Sequence, residues 1–409
     1  MKPGKLLQVA LGILAAIGGF VDIGELVFNG QAGSLFGYQL IWAVVLGLVG
    51  IVIFAEMCGR IAAVSRRAVF DLVRERTGFL GGLITLAAAE LVCLLTLTAE
   101  VGGVATMLRL LLGLAYGITV VVAVAALLLM LWFVSFEWLE RLFGYAGLCL
   151  LVFAVVAISH HPDWSAAAHG LVPTADFSRL PLYLYFAVGL IATTVSPYEV
   201  YFYSSGAVED GWTPGDLTLN RITVFLGFGL GALLSISLLI SSAELFQPSG
   251  IQPQLLGTTA SMAGTLGPIA LVLGMLGMLF AVGGAAVETS LAGAYTLSQF
   301  LGWQWGKFRG PARAPRFTLT WIVMLMLGGV ILATGVDPVS VTEYAVIFAA
   351  VAMPLTYLPV LLVAGDRDYM GHHRNGRLAQ VAGWAYLVVI VVAAAAAIPL
   401  LIITGAGSR

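Results

Sequence analysis

The chain has 409 residues, 60% of them hydrophobic and only 10% charged, with a net charge of −2 and a mean hydropathy of +1.01. Soluble domains carry about 25% charged residues, so this is the composition of a polytopic membrane protein, and the near-neutral charge argues against a nucleic-acid partner. The three cysteines (Cys58, Cys93 and Cys149) lie in apolar stretches without a ligand cluster, and read as small buried hydrophobes rather than disulfides or metal ligands.

At about 20 apolar residues per crossing, eleven spans are predicted. In chain order they lie near residues 6–32, 38–63, 80–112, 115–135, 142–158, 182–205, 222–246, 264–300, 317–335, 343–364 and 379–404. The third and eighth are longer than a bilayer requires and are expected to tilt or to extend past it. No small-residue cleavage site follows the first span, which is therefore read as retained. With the N-terminus inside, 16 of the 19 Lys and Arg fall on inner segments, and only Arg109, Arg179 and Arg409 lie outside or at the outer edge. That bias predicts a multi-pass cell-membrane protein with its N-terminus cytoplasmic and its C-terminus outside. The longest outer loop, 159–181, is too short for a soluble domain, and no histidine falls within a span.

Two spans carry helix breakers at mid-depth, where a break is tolerated only if it lines a cavity. The first has "IGGFVDIGE" (Ile17–Glu25), with Asp22 and Glu25 one turn apart. The sixth has "ATTVSPYEVY" (Ala192–Tyr201), where Pro197 has no N–H to give the helix. The two are the leading members of spans 1–5 and 6–10, as an inverted five-helix repeat requires, and paired interruptions of this kind point to a transporter's midplane site. Freed carbonyls plus two carboxylates make a cation site of hard oxygen ligands, and one divalent cation would offset both buried charges. The alternative is that one acid caps the restarted helix.

These residues resemble the NRAMP divalent-metal transporters. The family's first-helix D-P-G-N and F-A-T-N-I-Q-A-G stand here as Asp22-Ile23-Gly24-Glu25 and "LVFNGQAG", with Asn29, Gln31, Ala32 and Gly33 in register. Its sixth-helix A-T-V-M-P-H and Y-L-H-S stand as Thr193-Thr194-Val195-Ser196-Pro197-Tyr198 and Tyr201-Phe202-Tyr203-Ser204. Two A-E pairs recur at Ala89-Glu90 and Ala99-Glu100, and "MPLTYLPVLLVAGDRDYMG" (Met353–Gly371) resembles the family's tenth-helix region. The resemblance covers nearly the whole chain. It implies an all-α polytopic membrane protein of about eleven transmembrane helices, an inverted five-helix repeat of the leucine-transporter type with helices 1 and 6 unwound. The chain is then a single transmembrane domain, 1–409, with repeat one at about 6–158, repeat two at about 182–364 and an extra helix at about 379–404.

The departures from the family's pattern carry the functional expectation. By the resemblance the metal ligands fall at Asp22, Glu25, the Thr193 carbonyl and Ser196. Glu25 replaces the family's asparagine, and Ser196 replaces its methionine, a soft thioether. Carboxylates, carbonyls and water suit Mg²⁺, Ca²⁺ and Mn²⁺, and Mg²⁺ commonly keeps several waters when held by one or two carboxylates. The acid and histidines implied to carry protons are Leu97, Tyr198 and Tyr203 here, and tyrosine, with a reference pKa near 10, is a poor carrier. The expected activity is therefore import of Mg²⁺, and of Mn²⁺ as well, by alternating access without obligatory proton coupling, as in the NRAMP-related magnesium transporter branch.

Tyr198, Glu90, Glu100, Glu199 and Glu288 are pathway or accessory candidates. Glu90 and Glu100 leave a proton route open or are structural acids between packed helices. Glu288 stands where the family has Gly-Gln-Ser-Ser, Ala352 replaces its tenth-helix glutamine, and Glu343 and Glu56 also lie in or near spans. A proton-coupled Mn²⁺/Fe²⁺ transporter is the alternative within the family. An amino-acid transporter of the same fold is a further one, although two acids in helix 1 would repel a carboxylate substrate. No H-E-x-x-H, P-loop or embedded Cys/His pair marks an enzyme. No cofactor is implied, since the metal ion is substrate. The expected partners are that ion and the lipid bilayer, and a monomer is compatible with the sequence.

Overall fold

Asp22 begins the first helix of the computed structural model, which describes residues 21–174, 179–253 and 256–407. Its backbone is extended (φ −86°, ψ −174°) and its carboxylate accepts from the Glu25 N–H, so it is the N-cap of α1 (Ile23–Phe36). The rest of the first predicted span, and the stretch Ile17–Phe20 in its break, lie outside the described residues.

Ten helices among the described residues are long and apolar enough to cross a membrane. They are α2 (Ile41–Ser65), α3 (Val69–Leu112), α4 (Tyr116–Phe133), α5 (Phe136–Ser159), the pair α6 (Leu180–Thr194) and α7 (Pro197–Glu209) that forms one crossing, α8 (Pro214–Leu245), α9 (Pro268–Leu301), α10 (Pro315–Ala333), α11 (Pro338–Gly365) and α12 (Arg377–Thr404). The sixth span breaks where it is predicted to. Val195 and Ser196 leave helical geometry, and Pro197 opens α7 at a position whose N–H a helix start does not need.

Several boundaries differ from expectation, the seventh span for one beginning at Pro214 rather than 222, and three of the early starts have a local cause. The third span begins at Val69 rather than 80, because a charged segment that apolar counting rejects still forms helix. It bends at Gly78 (φ 74°), which tolerates a conformation other residues rarely adopt. The fifth begins at Phe136 rather than 142, since "FEWLER" is amphipathic rather than apolar throughout. The tenth begins at Pro338 rather than 343, where the Asp337 side chain caps it through the Ser340 N–H.

α3 packs along α9 and α11, α1 lies against α8 and α6, and α12 covers α11 from outside. On α12, Leu378, Val381, Val388, Val392 and Ile402 remain exposed, an apolar face that suits lipid. α1 is buried at every position except Leu35, so the two acids sit at the centre of the bundle.

Candidate metal site

Asp22 and Glu25 are 3% and 0% exposed, so the site is closed to solvent in this conformation. Gly24 between them allows the approach of α6, because a Cβ there would stand 2.8 Å from Thr193 Cγ2. The Glu25 carboxylate accepts from Asn29 Nδ2 at 2.5 Å on its own helix, and from Thr193 Oγ1 at 2.9 Å and Thr194 Oγ1 at 2.8 Å on α6. It thereby joins the start of α1 to the end of α6, beside the break at Val195 and Ser196. Asp22 is divided between two tasks. Oδ1 caps α1 at 2.9 Å, the role weighed above for one acid, and Oδ2 accepts from the Tyr198 hydroxyl of α7 at 3.1 Å.

The structure thus brings Asp22, Glu25, Thr193 and Tyr198 together. Ser196 adjoins them, 5% exposed, with its hydroxyl donating to the carbonyls of Ala192 (3.2 Å) and Thr193 (3.1 Å). The Thr193 carbonyl expected as a ligand therefore already accepts a bond. Tyr357 of α11 donates to the carbonyl of Val195 at 3.1 Å and reaches that of Ser196 at 3.4 Å, so it occupies carbonyls freed by the break. Any ligand drawn to Glu25 would displace the Thr193 and Thr194 hydroxyls that now donate to it. Both have a second acceptor in the Leu190 carbonyl, at 3.0 and 2.8 Å. Among the described residues no three His, Cys, Asp or Glu side chains converge as a metal cluster, so any full coordination shell would draw on hydroxyls, carbonyls and water.

The accessory acids take different positions. Glu199, on α7, is 6% exposed and neither carboxylate oxygen has a hydrogen-bond partner. It lies within electrostatic range of Asp22, Glu288, Glu25 and Glu100. Glu100 accepts from Thr289 of α9 at 3.2 Å through Oε1, while Oε2 is unpartnered and the side chain is fully buried. Glu90 accepts from Thr296 at 2.8 Å and stands ten residues, about 15 Å, from Glu100 along α3. Glu288 is felt by both Glu199 and Glu100, and itself feels Glu140 and Lys307. Glu343 accepts from Gln31 at 3.4 Å, near the far end of α1.

The roles of Thr194 and Tyr357, and the bond from Asn29 to the Glu25 carboxylate, are not evident from the sequence. Its available signal was the apolar setting of these hydroxyl and amide groups, each of which needs a partner when buried.

A family model described as "Natural resistance-associated macrophage protein-like" matches residues 12–399. The chain belongs to the Nramp family. It is 28% identical over 391 residues to the divalent metal cation transporter MntH of Deinococcus radiodurans, covering 92% of this chain and 86% of that one. It is 27% identical to the MntH of Aeromonas hydrophila, covering 93% and 92%. Among solved structures, the manganese transporter of Eremococcus coleocola superposes with a TM-score of 0.75 at 21% identity, over 95% of this chain and 85% of that one. Mhp1, a nucleobase-cation-symport-1 family transporter in a closed conformation, superposes with a TM-score of 0.57 at 17% identity, over 98% and 95%. This Nramp chain therefore has the expected all-helical transporter fold.

Proposed function

We propose that this Nramp protein carries divalent metal ions, Mg²⁺ and also Mn²⁺, across the membrane by alternating access, without obligatory proton coupling. Divalent metal transport follows from family membership and from relatives named as divalent metal cation transporters. The preference for a hard ion rests on one observation: the fully buried Glu25 carboxylate beside Asp22, bound by hydroxyls from the end of α6. Two negative charges in a low-dielectric site match one divalent ion, and serine rather than a thioether at position 196 leaves oxygen ligands and water. Two tyrosines at the histidine positions, the buried Tyr198 bonded to Asp22 and the half-buried Tyr203 bonded to Asn220, support the absence of a proton relay there. An inside-negative potential contributes about 2.3 kcal/mol per charge per 100 mV, enough to drive accumulation of a divalent ion.

The single-domain organisation, with repeats at about 6–158 and 182–364 and the extra helix at about 379–404, belongs to the same proposal, as does the cytoplasmic placing of the N-terminus. A second reading, proton-coupled Mn²⁺/Fe²⁺ transport, is favoured by the buried Glu100 with its unpartnered oxygen. Mn²⁺ uptake into vesicles containing the purified protein, competed by excess Mg²⁺, tests the proposal. Competition is expected, and Mn²⁺ uptake indifferent to a hundredfold excess of Mg²⁺ would refute the hard-ion reading.

A further inference from the structure

Lys307, in the segment between α9 and α10, is the single lysine among the described residues; the others are Lys2 and Lys5. Its side chain is only 6% exposed. The ammonium lies 4.0 Å from the ring centroid of Phe136, the first residue of α5, and 5.0 and 5.8 Å from those of Phe308 and Phe202. It stands 3.7 Å from the Asp210 carboxylate, directly after α7. Its backbone N–H donates to Glu209 Oε2 at 2.9 Å, and the same carboxylate accepts from the Tyr295 hydroxyl of α9. Gly306 makes this approach possible, because at φ 144° a Cβ would stand 2.3 Å from Glu209 Oε1.

A buried ammonium keeps its charge only where ring faces and carboxylates replace its water. Here those replacements come from three elements at once: the start of α5, the end of α7 and the α9–α10 segment. α7 is also the half-helix that carries Tyr198 onto Asp22 and the unpartnered Glu199. Burial raises the Asp210 carboxyl above its ordinary range, and the Lys307 charge works against that rise.

We propose that Lys307, held in the Phe136–Phe202–Phe308 cage and by Asp210, is the latch that closes the mouth assigned by the basic residues to the cytoplasm. A divalent ion leaving on this side competes with the ammonium for the Asp210 carboxylate, and the latch releases as α7 and α5 part. The proposal rests on the transport reading above.

The test follows Lys307 itself. The full-length protein in proteoliposomes is treated with a water-soluble amine-acylating reagent, and the rate of modification of the Lys307 peptide is read by mass spectrometry, with and without Mn²⁺, alongside Mn²⁺ flux. Slow labelling is expected without ion, severalfold faster labelling with it, and a basal rate at least twofold higher in Asp210→Asn, whose position is 43% exposed and tolerant. Lys307→Met is expected to pass Mn²⁺ with weakened closure, seen as faster ion leak. Flux with a Lys307 labelling rate unchanged by Mn²⁺ and by Asp210→Asn would overturn the latch and leave the transport reading intact. No flux of any divalent ion would overturn the transport reading, and the latch with it.

Discussion

Replacing Glu25 by glutamine separates its charge from its shape. The side chain keeps its length, and the partners that now donate to it can adjust. Thr193 and Thr194 both have the Leu190 carbonyl as a second acceptor, so either hydroxyl can turn to receive the new amide N–H. The stability cost is therefore that of one imperfect buried hydrogen bond, about 1 kcal/mol. The binding cost is larger. Two unit charges 4 Å apart interact by about 4 kcal/mol at an effective dielectric near 20, and a divalent ion doubles that. Most of this is offset by stripping water from the ion and by breaking the bonds Glu25 makes now. If about 3 kcal/mol survives, affinity falls by about a hundredfold. Calorimetric titration of Mg²⁺ and Mn²⁺ into the purified protein measures this, with a thermal melt in parallel. Unchanged affinity in Glu25→Gln would refute the reasoning and leave Glu25 as a structural tie between α1 and α6.

Other substitutions probe neighbouring parts of the site. Asp22→Asn preserves the cap, since an asparagine oxygen accepts from the Glu25 N–H equally well; uptake should fall at least tenfold in a flux assay while helix content by circular dichroism stays constant. Ser196→Met restores a soft ligand and should shift competition towards Mn²⁺ and Cd²⁺ and away from Mg²⁺; an unaltered preference would show that position 196 does not touch the ion. Glu199→Leu replaces a buried carboxyl without hydrogen-bond partners by an apolar side chain and should stabilise the ion-free protein by about 1–3 kcal/mol. A lowered melting midpoint would mean that Glu199 has a partner after all. Gly24→Ala forces α6 away from α1 and should cost about 1–3 kcal/mol, read in the same melts.

What the sequence made legible was chemistry that is forbidden without a reason. Two acids within an apolar stretch, and a proline in the middle of another, are costly enough to single out their positions, and the structure brings Asp22 and Glu25 against the residues flanking the break before Pro197. The partners were not legible. Thr194 meets Glu25 across 169 residues of chain, and Tyr357 meets the Val195 carbonyl across 162. Such pairs depend on the relative rotation of helices, which periodicity within one helix does not encode. Helix starts at Val69 and Phe136 escaped for a different reason. Charged and amphipathic turns at the membrane edge fold as helix without being apolar, so hydropathy alone places the boundary too late. In the sequence Lys307 is only a positive charge on an inner loop; its aromatic cage is assembled from α5, α7 and its own segment, and exists only once they pack.

The central claim is that the paired carboxylates carry a hard divalent ion without protons. Mg²⁺ uptake into proteoliposomes under an inside-negative potential, with internal pH recorded at the same time, tests it most directly. The account predicts uptake without acidification, abolished by Glu25→Ala. Uptake confined to Mn²⁺, with matching acidification of the interior, would contradict it.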